Sequence, residues 1–435
     1  MKESKHIVFY KDIPIAEYTS ERDLRTYDPA EIYINNIDDF DTVEDVQALL
    51  NILLSNLYDF FKGNLPSGIR YQVLTEQAQS VDVLKLAPKL DEFSADISID
   101  MSDKRRYEPV PDGIRSAAQL KSLIPPTEFE FAASERGLGE RPSAMAGFFD
   151  KFTAVLEQTP SGPVLRPTDW KNEVGNVIVK VQGEKFPLIA VNEAFCLGLA
   201  EKCGLDVTRR WTITAGTDFM TRKQFITERF GVSATKDGKV RRDMVFDTGI
   251  LLADQVPDQY TISSEKYFAF LKSILPEIDI QKMLSAYLFG YIVGNSDMHV
   301  KNFSVRYTGD GFRLMPIYDM VSYKAYLFKN DLALTVGGNT VVPEEKFIKF
   351  LLDQGMSPSA IRNMADDAAG GLDEAAKEYI DLNDGNEAGL FMRIKNFTES
   401  RCLAINAALM KLHQTIDNDS TDRGCGADSC GRMER

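Results

Sequence analysis

The stretch Gly294-Asn295-Ser296-Asp297-Met298-His299-Val300-Lys301-Asn302-Phe303 follows an apolar run of Met283, Leu284, Tyr287, Leu288, Tyr291 and Ile292. The three- and four-residue spacings of that run predict a helix ending near Gly294. Just beyond it, Asp297 and Asn302 stand in D-x-x-x-x-N spacing. In kinase-type phosphoryl transfer this spacing lets the Asp accept the proton of the attacking hydroxyl while the Asn reaches a magnesium ion. Alone, the segment also reads as a polar loop. A second acid, Asp319, follows 22 residues later in Leu314-Met315-Pro316-Ile317-Tyr318-Asp319. It is expected to end an apolar strand, where a kinase places its other magnesium ligand. Two oxygen ligands and a hard cation are what the charge on transferring phosphates requires.

Upstream, Val177-Ile178-Val179-Lys180 puts a lysine at the end of an apolar strand, the place of the lysine that holds the α- and β-phosphates. Glu193, near the start of the next helix, is its expected partner. A strand-ending lysine is otherwise a solvated edge residue; its order relative to the Asp297 loop favours the first reading. Gly147-Phe148-Phe149-Asp150-Lys151 leads into a strand from Phe152 to Leu156, so backbone N–H groups near Gly147 and the Lys151 ammonium are candidates to cradle phosphate. Gly137-Leu138-Gly139 lacks a third glycine in phase and reads as a flexible loop.

The 435 residues carry 50 Lys and Arg against 65 Asp and Glu, a formal charge of −15. So acidic a chain is a poor free-standing nucleic-acid binder. Hydrophobic residues at 44% and charged residues at 26% exclude wholesale disorder. No apolar run approaches the length of a membrane span, residues 1–11 carry no signal-peptide core, and five scattered cysteines make no disulfide framework. A cytoplasmic protein with reduced thiols is expected. Three histidines argue against a His-rich metal site.

Along the chain, His6 to Tyr18 alternates around Lys11-Asp12 and predicts a hairpin; Val46, Leu49, Leu50, Leu53, Leu54 and Leu57 predict a helix over Val43 to Phe61. Asp91 to Glu140 is polar and proline-bearing and predicts loops. Strands are expected at Phe152–Leu156, Asn176–Lys180 and Phe225–Phe230, with a hairpin turn at Asp237-Gly238 and one helix, Val191 to Cys203, stopped by Gly204. After Tyr260 the chain turns helical, and Asp417 to Arg435 reads as a frayed tail. The expected fold class is α+β: a two-lobed, protein-kinase-like fold with a divergent N-terminal β-rich module and a mainly helical C-lobe. The expected boundaries are 1–128, 129–258, 259–415 and a tail over 416–435.

Gly294 to Phe303 with Pro316-Ile317-Tyr318-Asp319 resembles the signature of the HipA family, bacterial serine/threonine kinase toxins of HipBA toxin–antitoxin systems. Phe60-Phe61-Lys62-Gly63-Asn64-Leu65-Pro66 resembles the family's FF-x-N-L-P element, and Ala146 to Lys151 its A-G-x-Q-x-K loop. Asn192-Glu193 resembles the start of its lysine-pairing helix, Glu228-Arg229-Phe230 its adenine-holding hinge, and Leu332 to Gly338 a late strand-turn. The matches span Phe60 to Gly338, and the Asp297 loop is the specific one.

The resemblance implies that Asp297 is the general base and that Asn302 and Asp319 are magnesium ligands. It implies that Lys180 and Lys151 contact phosphate beside Gly147, that Thr227, Glu228, Arg229 and Phe230 form the hinge, and that His299 is a loop histidine counted with the cofactor-binding residues and expected to make a structural hydrogen bond. ATP and Mg2+ would be the cofactors. A protein target, such as an aminoacyl-tRNA synthetase, would be phosphorylated to arrest growth. A HipB-like helix-turn-helix antitoxin would be the partner, with operator DNA reached mainly through it and no membrane involved.

Two positions depart from the family pattern. Its regulatory serine falls here on Ala144, so self-inactivation is either shifted to Ser143, the candidate phosphosite one residue earlier, or absent, and the loop's usual Gln is Phe149. The rival readings are a catalytically weak kinase-fold subunit of a repressor complex and a kinase for a small metabolite. Lys104-Arg105-Arg106 and Lys239 with Arg241-Arg242 read as solvated clusters, the second placed to meet a charged substrate. Cys425 and Cys430 lack the further ligands of a zinc site, and Cys196 and Cys203 read as small core residues.

Overall fold

The structure is a computed structural model that describes residues 5–10, 13–19, 24–36, 42–63, 83–87, 97–99, 106–114, 151–169, 172–180, 186–217, 220–234, 240–243, 245–252, 260–308 and 311–424. Ser143, Ala144, Gly147, Phe149, Lys104, Arg105, Lys239, Cys425 and Cys430 lie outside them.

The N-terminal module opens with strands β1 (His6–Tyr10) and β2 (Ile13–Tyr18), the expected hairpin, its register shifting between Val8 and Phe9. With β3 (Arg25–Thr26) and a later strand it forms a four-stranded sheet. Helix α1 (Pro29–Asn35) starts where Asp28 accepts from the Ala30 N–H at 2.8 Å. Helix α2 (Val43–Gly63) starts at a reciprocal cap: Thr42 Oγ1 accepts from Asp45 N–H, and Asp45 Oδ2 from Thr42 N–H. Its periodicity buries Val46, Leu49, Leu50, Leu53, Leu57, Phe60 and Phe61, whereas Leu54, counted with the same stripe from the sequence, faces solvent. The short helix α3 (Val83–Leu86) follows, and β4 (Ile97–Ile99) completes the order β3-β2-β1-β4.

Strand β5 (Arg106–Tyr107) precedes a sheet built from β6 (Lys151–Thr159), β7 (Gly162–Pro167), β9 (Val177–Lys180), β10 (Arg210–Thr217) and β11 (Met220–Glu228), in the order β10-β11-β9-β6-β7, all antiparallel. Strand β8 (Glu173–Val174) pairs with β5. The two-residue period puts Val177, Val179, Trp211, Ile213 and Ile226 into one core with Val110 and Ile114. The other face receives helix α4 (Ile189–Lys202), which is buried from Ile189 to Ala200 on every side because the sheet and the helical lobe enclose it. Gly204, at φ +79°, follows its end as expected. Strands β12 (Val232–Ala234) and β13 (Val240–Arg242) form the predicted hairpin.

The rest is mainly helical, around a small sheet of β14 (Val245–Asp247), β15 (Ser304–Thr308) and β16 (Gly311–Leu314). Its helices are α5 (Thr248–Leu251), α6 (Ser264–Ile274), α7 (Glu277–Val293), α8 (Glu344–Asp353), α9 (Pro358–Tyr379) and α10 (Gly385–Gly424). Helix α10 runs past the expected start of the tail, because Ile416 to Arg423 is polar but has neither Pro nor Gly to stop it. One buried cluster joins Val8 and Leu53 of the first module to Phe195, Tyr287 and Leu409. Among the described residues, no helix is long and apolar enough to cross a membrane.

Candidate active site

Helix α7 ends as the spacing predicts, on Gly294 in the left-handed region at φ +75°, and the Gly294 and Asn295 N–H groups both return to Gly290 O. From there the loop is tied to itself. Buried Asn295 accepts from Asp297 N–H through Oδ1 at 3.1 Å and donates from Nδ2 to Asp319 O at 3.3 Å. Asn302 Nδ2 donates to Asp297 O at 2.6 Å, which closes the D-x-x-x-x-N spacing into a ring. His299 Nδ1 accepts from Lys301 N–H at 3.2 Å, the structural bond expected of it. Burial lowers the imidazole pKa against the opposing pull of the Asp297 charge.

The loop also plugs into its own helix. A Cβ placed on Gly290 would meet Met298 Sδ, so glycine leaves that side chain its present place. From behind, buried Thr248 on α5 donates to Val300 O and pairs with the Tyr267 hydroxyl at 2.6 Å, while its own N–H donates to Phe303 O.

Lys180 ends β9 with Nζ 2.7 and 2.9 Å from the two Glu193 oxygens and 2.8 Å from Asp319 Oδ1. Burial pulls the ammonium pKa down, but the charges of Asp319 and Glu193 outweigh it and hold it above the ordinary lysine range. The Glu193 pairing is the one the sequence suggested; direct contact with Asp319 is not visible in any local pattern. Asp319 does not end a strand. Strand β16 stops at Leu314, Pro316 interrupts the ladder, Ile317 bridges to Val207, and Asp319 then turns through φ +57°. Asn192, the residue before Glu193, clasps Ser322 by donating to its carbonyl at 3.1 Å and accepting from its N–H at 2.9 Å. That clasp fixes α4 against the segment that carries Asp319.

The Asp297 carboxyl pKa is raised, chiefly by burial, against the lowering effects of the His299 charge and of the Tyr260 hydrogen bond. The Tyr260 hydroxyl donates to Oδ1 at 2.8 Å, and its ring meets the His299 ring edge-on at 5.0 Å. Tyr260 belongs to no motif, and sequence reasoning missed it.

The hinge candidates lie at the far end of β11, where Phe225 is paired with Lys180 and Thr227 with Ile178. Thr227 Oγ1 donates to Thr208 Oγ1 at 3.3 Å. Glu228 is gripped by Arg209, whose guanidinium also reaches the carbonyls of Val110, Pro111 and Ile114. The N–H groups of Glu228 and Arg229 donate to Arg209 O and Asn176 O, and the Phe230 ring lies 5.4 Å from Tyr318. These bonds hold the segment in place. Lys151 begins β6 in register with Lys180.

The donor set suits a hard cation. Asn302 spends its amide nitrogen on Asp297 O and keeps its oxygen as the atom able to bind a metal. Among the described residues, no group of three or more His, Cys, Asp or Glu could hold a metal by itself. One carboxylate and one amide fit magnesium held largely by nucleotide phosphates.

The sequence profile of the HipA-like C-terminal domain matches residues 143–376, more than half of the chain. The chain belongs to the HipA-like family. A protein of Sinorhizobium fredii named "Putative kinase Y4mE" is 27% identical over 380 residues, covering 81% of this chain and 85% of that one. A Haemophilus influenzae protein named "Putative kinase" is 27% identical over 193 residues, 42% of this chain and 53% of that one. HipA from Shewanella oneidensis, solved with HipB and operator DNA, superposes with a TM-score of 0.68 at 16% identity, covering 94% of this chain and 99% of that one. The HipA-like fold is thus α+β and kinase-like, as expected from the sequence.

Proposed function

We propose that this HipA-like protein is an ATP- and magnesium-dependent protein serine/threonine kinase whose target, once phosphorylated, arrests growth. The observation that carries the reading is Lys180 held between Glu193 and Asp319 beside the ring formed by Asp297 and Asn302. In this reading Lys180 moves its charge from Asp319 to the α- and β-phosphates, and Glu193 keeps it in place. Asp297 takes the proton as the acceptor oxygen bonds to the γ-phosphorus and the bond to the ADP oxygen breaks. Asn302 and Asp319 would hold magnesium, which when bound neutralises charge on the phosphates. Gly147 and Lys151 complete the phosphate contacts, Thr227 to Phe230 hold the adenine, and Ser143 is the site of self-phosphorylation.

A HipB-like antitoxin is the partner in this reading, supported by the complex in which the Shewanella protein was solved. The charge of −15 leaves operator DNA to that partner. The test compares the phosphoproteomes of cells expressing wild type and Asp297→Asn at equal levels. New phosphoserine or phosphothreonine sites with wild type alone, accompanied by growth arrest, are expected. Identical phosphoproteomes from two folded proteins would favour a kinase-fold subunit of a repressor complex.

A further inference from the structure

The Asp297 loop is held through its backbone, which leaves the torsions of the carboxylate itself free. Asn295 fixes the Asp297 N–H and Asn302 its carbonyl, so Cα and Cβ are set, but neither bond controls χ1, nor χ2, which turns the carboxylate. That torsion is broad and roughly two-fold in aspartate. A base whose oxygens point at random loses much of its advantage, because proton transfer needs one of them within hydrogen-bond reach of the acceptor.

The group that acts on this torsion from the solvent side is Tyr260. Its hydroxyl donates to Oδ1 at 2.8 Å, and its ring is steadied edge-on against His299 at an interplanar angle of 89°. Two residues along, Ile262 is buried, and the Ser264 N–H donates to Thr335 O at 2.8 Å, so the tyrosine stands on an anchored turn. Tyr323, whose pKa also feels the Asp297 charge, is a buried member of an aromatic cluster with Phe186 and Phe328, whereas Tyr260 is 43% exposed. An ionised carboxylate has about four acceptor directions, so one tyrosyl donor leaves room for an incoming hydroxyl.

We infer that Tyr260 is a positioning residue for phosphoryl transfer, its hydroxyl setting the rotation of the Asp297 carboxylate that receives the acceptor's proton. The inference rests on the kinase reading above. It is tested with the full chain, MgATP and dephosphorylated casein as the acceptor, comparing wild type, Tyr260→Phe, Asp297→Asn and the double variant. Tyr260→Phe should lower kcat about tenfold while KM for ATP, KM for casein and Tm stay at wild-type values, the pattern of an interaction made in the transition state. In the Asp297→Asn background, read by long labelled incubations, the same change should cost nothing further.

Unchanged kcat in Tyr260→Phe would overturn the inference. Faster transfer would overturn it too, and would make Tyr260 an obstacle to the acceptor. A further tenfold loss in the double variant would place its action elsewhere. If wild type transfers label neither to casein nor to water, the kinase reading itself fails and the inference falls with it.

Discussion

Lys180, Glu193 and Asp319 share one cluster but differ in what their loss exposes. The Glu193 side chain is 4% exposed and that of Asp319 is 32% exposed. Lys180→Ala leaves a buried carboxylate without its counter-ion and should cost about 3 kcal/mol in denaturant unfolding. Asp319→Asn leaves the Lys180–Glu193 pair intact and should cost less than about 1 kcal/mol; both variants should lose phosphoryl transfer. Equal stability losses would contradict the geometry. Gly290→Ala is a second residue-scale prediction. Alanine favours the helix, yet its Cβ would meet Met298 Sδ, so the variant should lose about 1–3 kcal/mol and most of its transfer activity as the Asp297 loop is pushed out. Unchanged activity would mean that the loop tolerates the shift. The D-x-x-x-x-N spacing and the strand-ending lysine were legible because they are local. Tyr260 was not, because its hydroxyl reaches Asp297 across 37 residues that no periodicity links.

Helix α5 shows what an element of only four residues does for the loop. Thr248 donates to Val300 O, meets Tyr267, and lets its own N–H bond Phe303 O. Thr248→Val keeps the shape but strips both buried partners of their hydroxyl; it should cost about 2 kcal/mol and lower kcat more than it raises KM for ATP, measured by unfolding and steady-state kinetics. At this scale much was readable in advance. Helices α2, α4 and α7 and the strand ending on Lys180 fall within a few residues of their expected bounds, because α2 carries an apolar stripe and α4 and α7 are each followed by a glycine. The strand expected before Asp319 was not found, because Ile317 makes only a single bridge after Pro316, and the chain turns instead. Helix α10 outran its expected end because polarity alone does not stop a helix.

Across the whole molecule, the first module, the sheet and the helical lobe are joined rather than strung together. Phe60 of α2 meets Phe246 edge-on at 5.9 Å, next to the strand end that leads into Thr248. Lys223 on β11 pairs with Glu387 on α10 at 2.7 Å, and buried Arg210 on β10 reaches the Tyr379 hydroxyl on α9. None of these contacts is encoded in neighbouring residues, which is why the sequence yields the lobes but not how they lock.

A global prediction follows from Asp247, which caps α5 by accepting from Ile250 N–H at 2.9 Å. Burial pushes its carboxyl up to about 6, against the lowering influence of Lys301. Because the folded value lies above the unfolded one, its contribution to stability is fully present below about pH 4 and is lost as pH rises through about 6, by at most ~3 kcal/mol. Asp247→Asn keeps the cap, so the variant's stability relative to wild type should grow between pH 4 and 7. A constant difference in unfolding midpoint over that range would contradict the assignment.

The central claim is that the Lys180, Asp297, Asn302 and Asp319 cluster transfers phosphoryl groups. The most direct measurement incubates the purified chain with magnesium and γ-labelled ATP, beside Asp297→Asn, and follows ADP formation and label on protein serine and threonine. Wild type should transfer label, and the variant should be slower by about 100-fold or more. Wild type that binds MgATP but forms neither ADP nor phosphoprotein, or a variant as fast as wild type, would contradict the account.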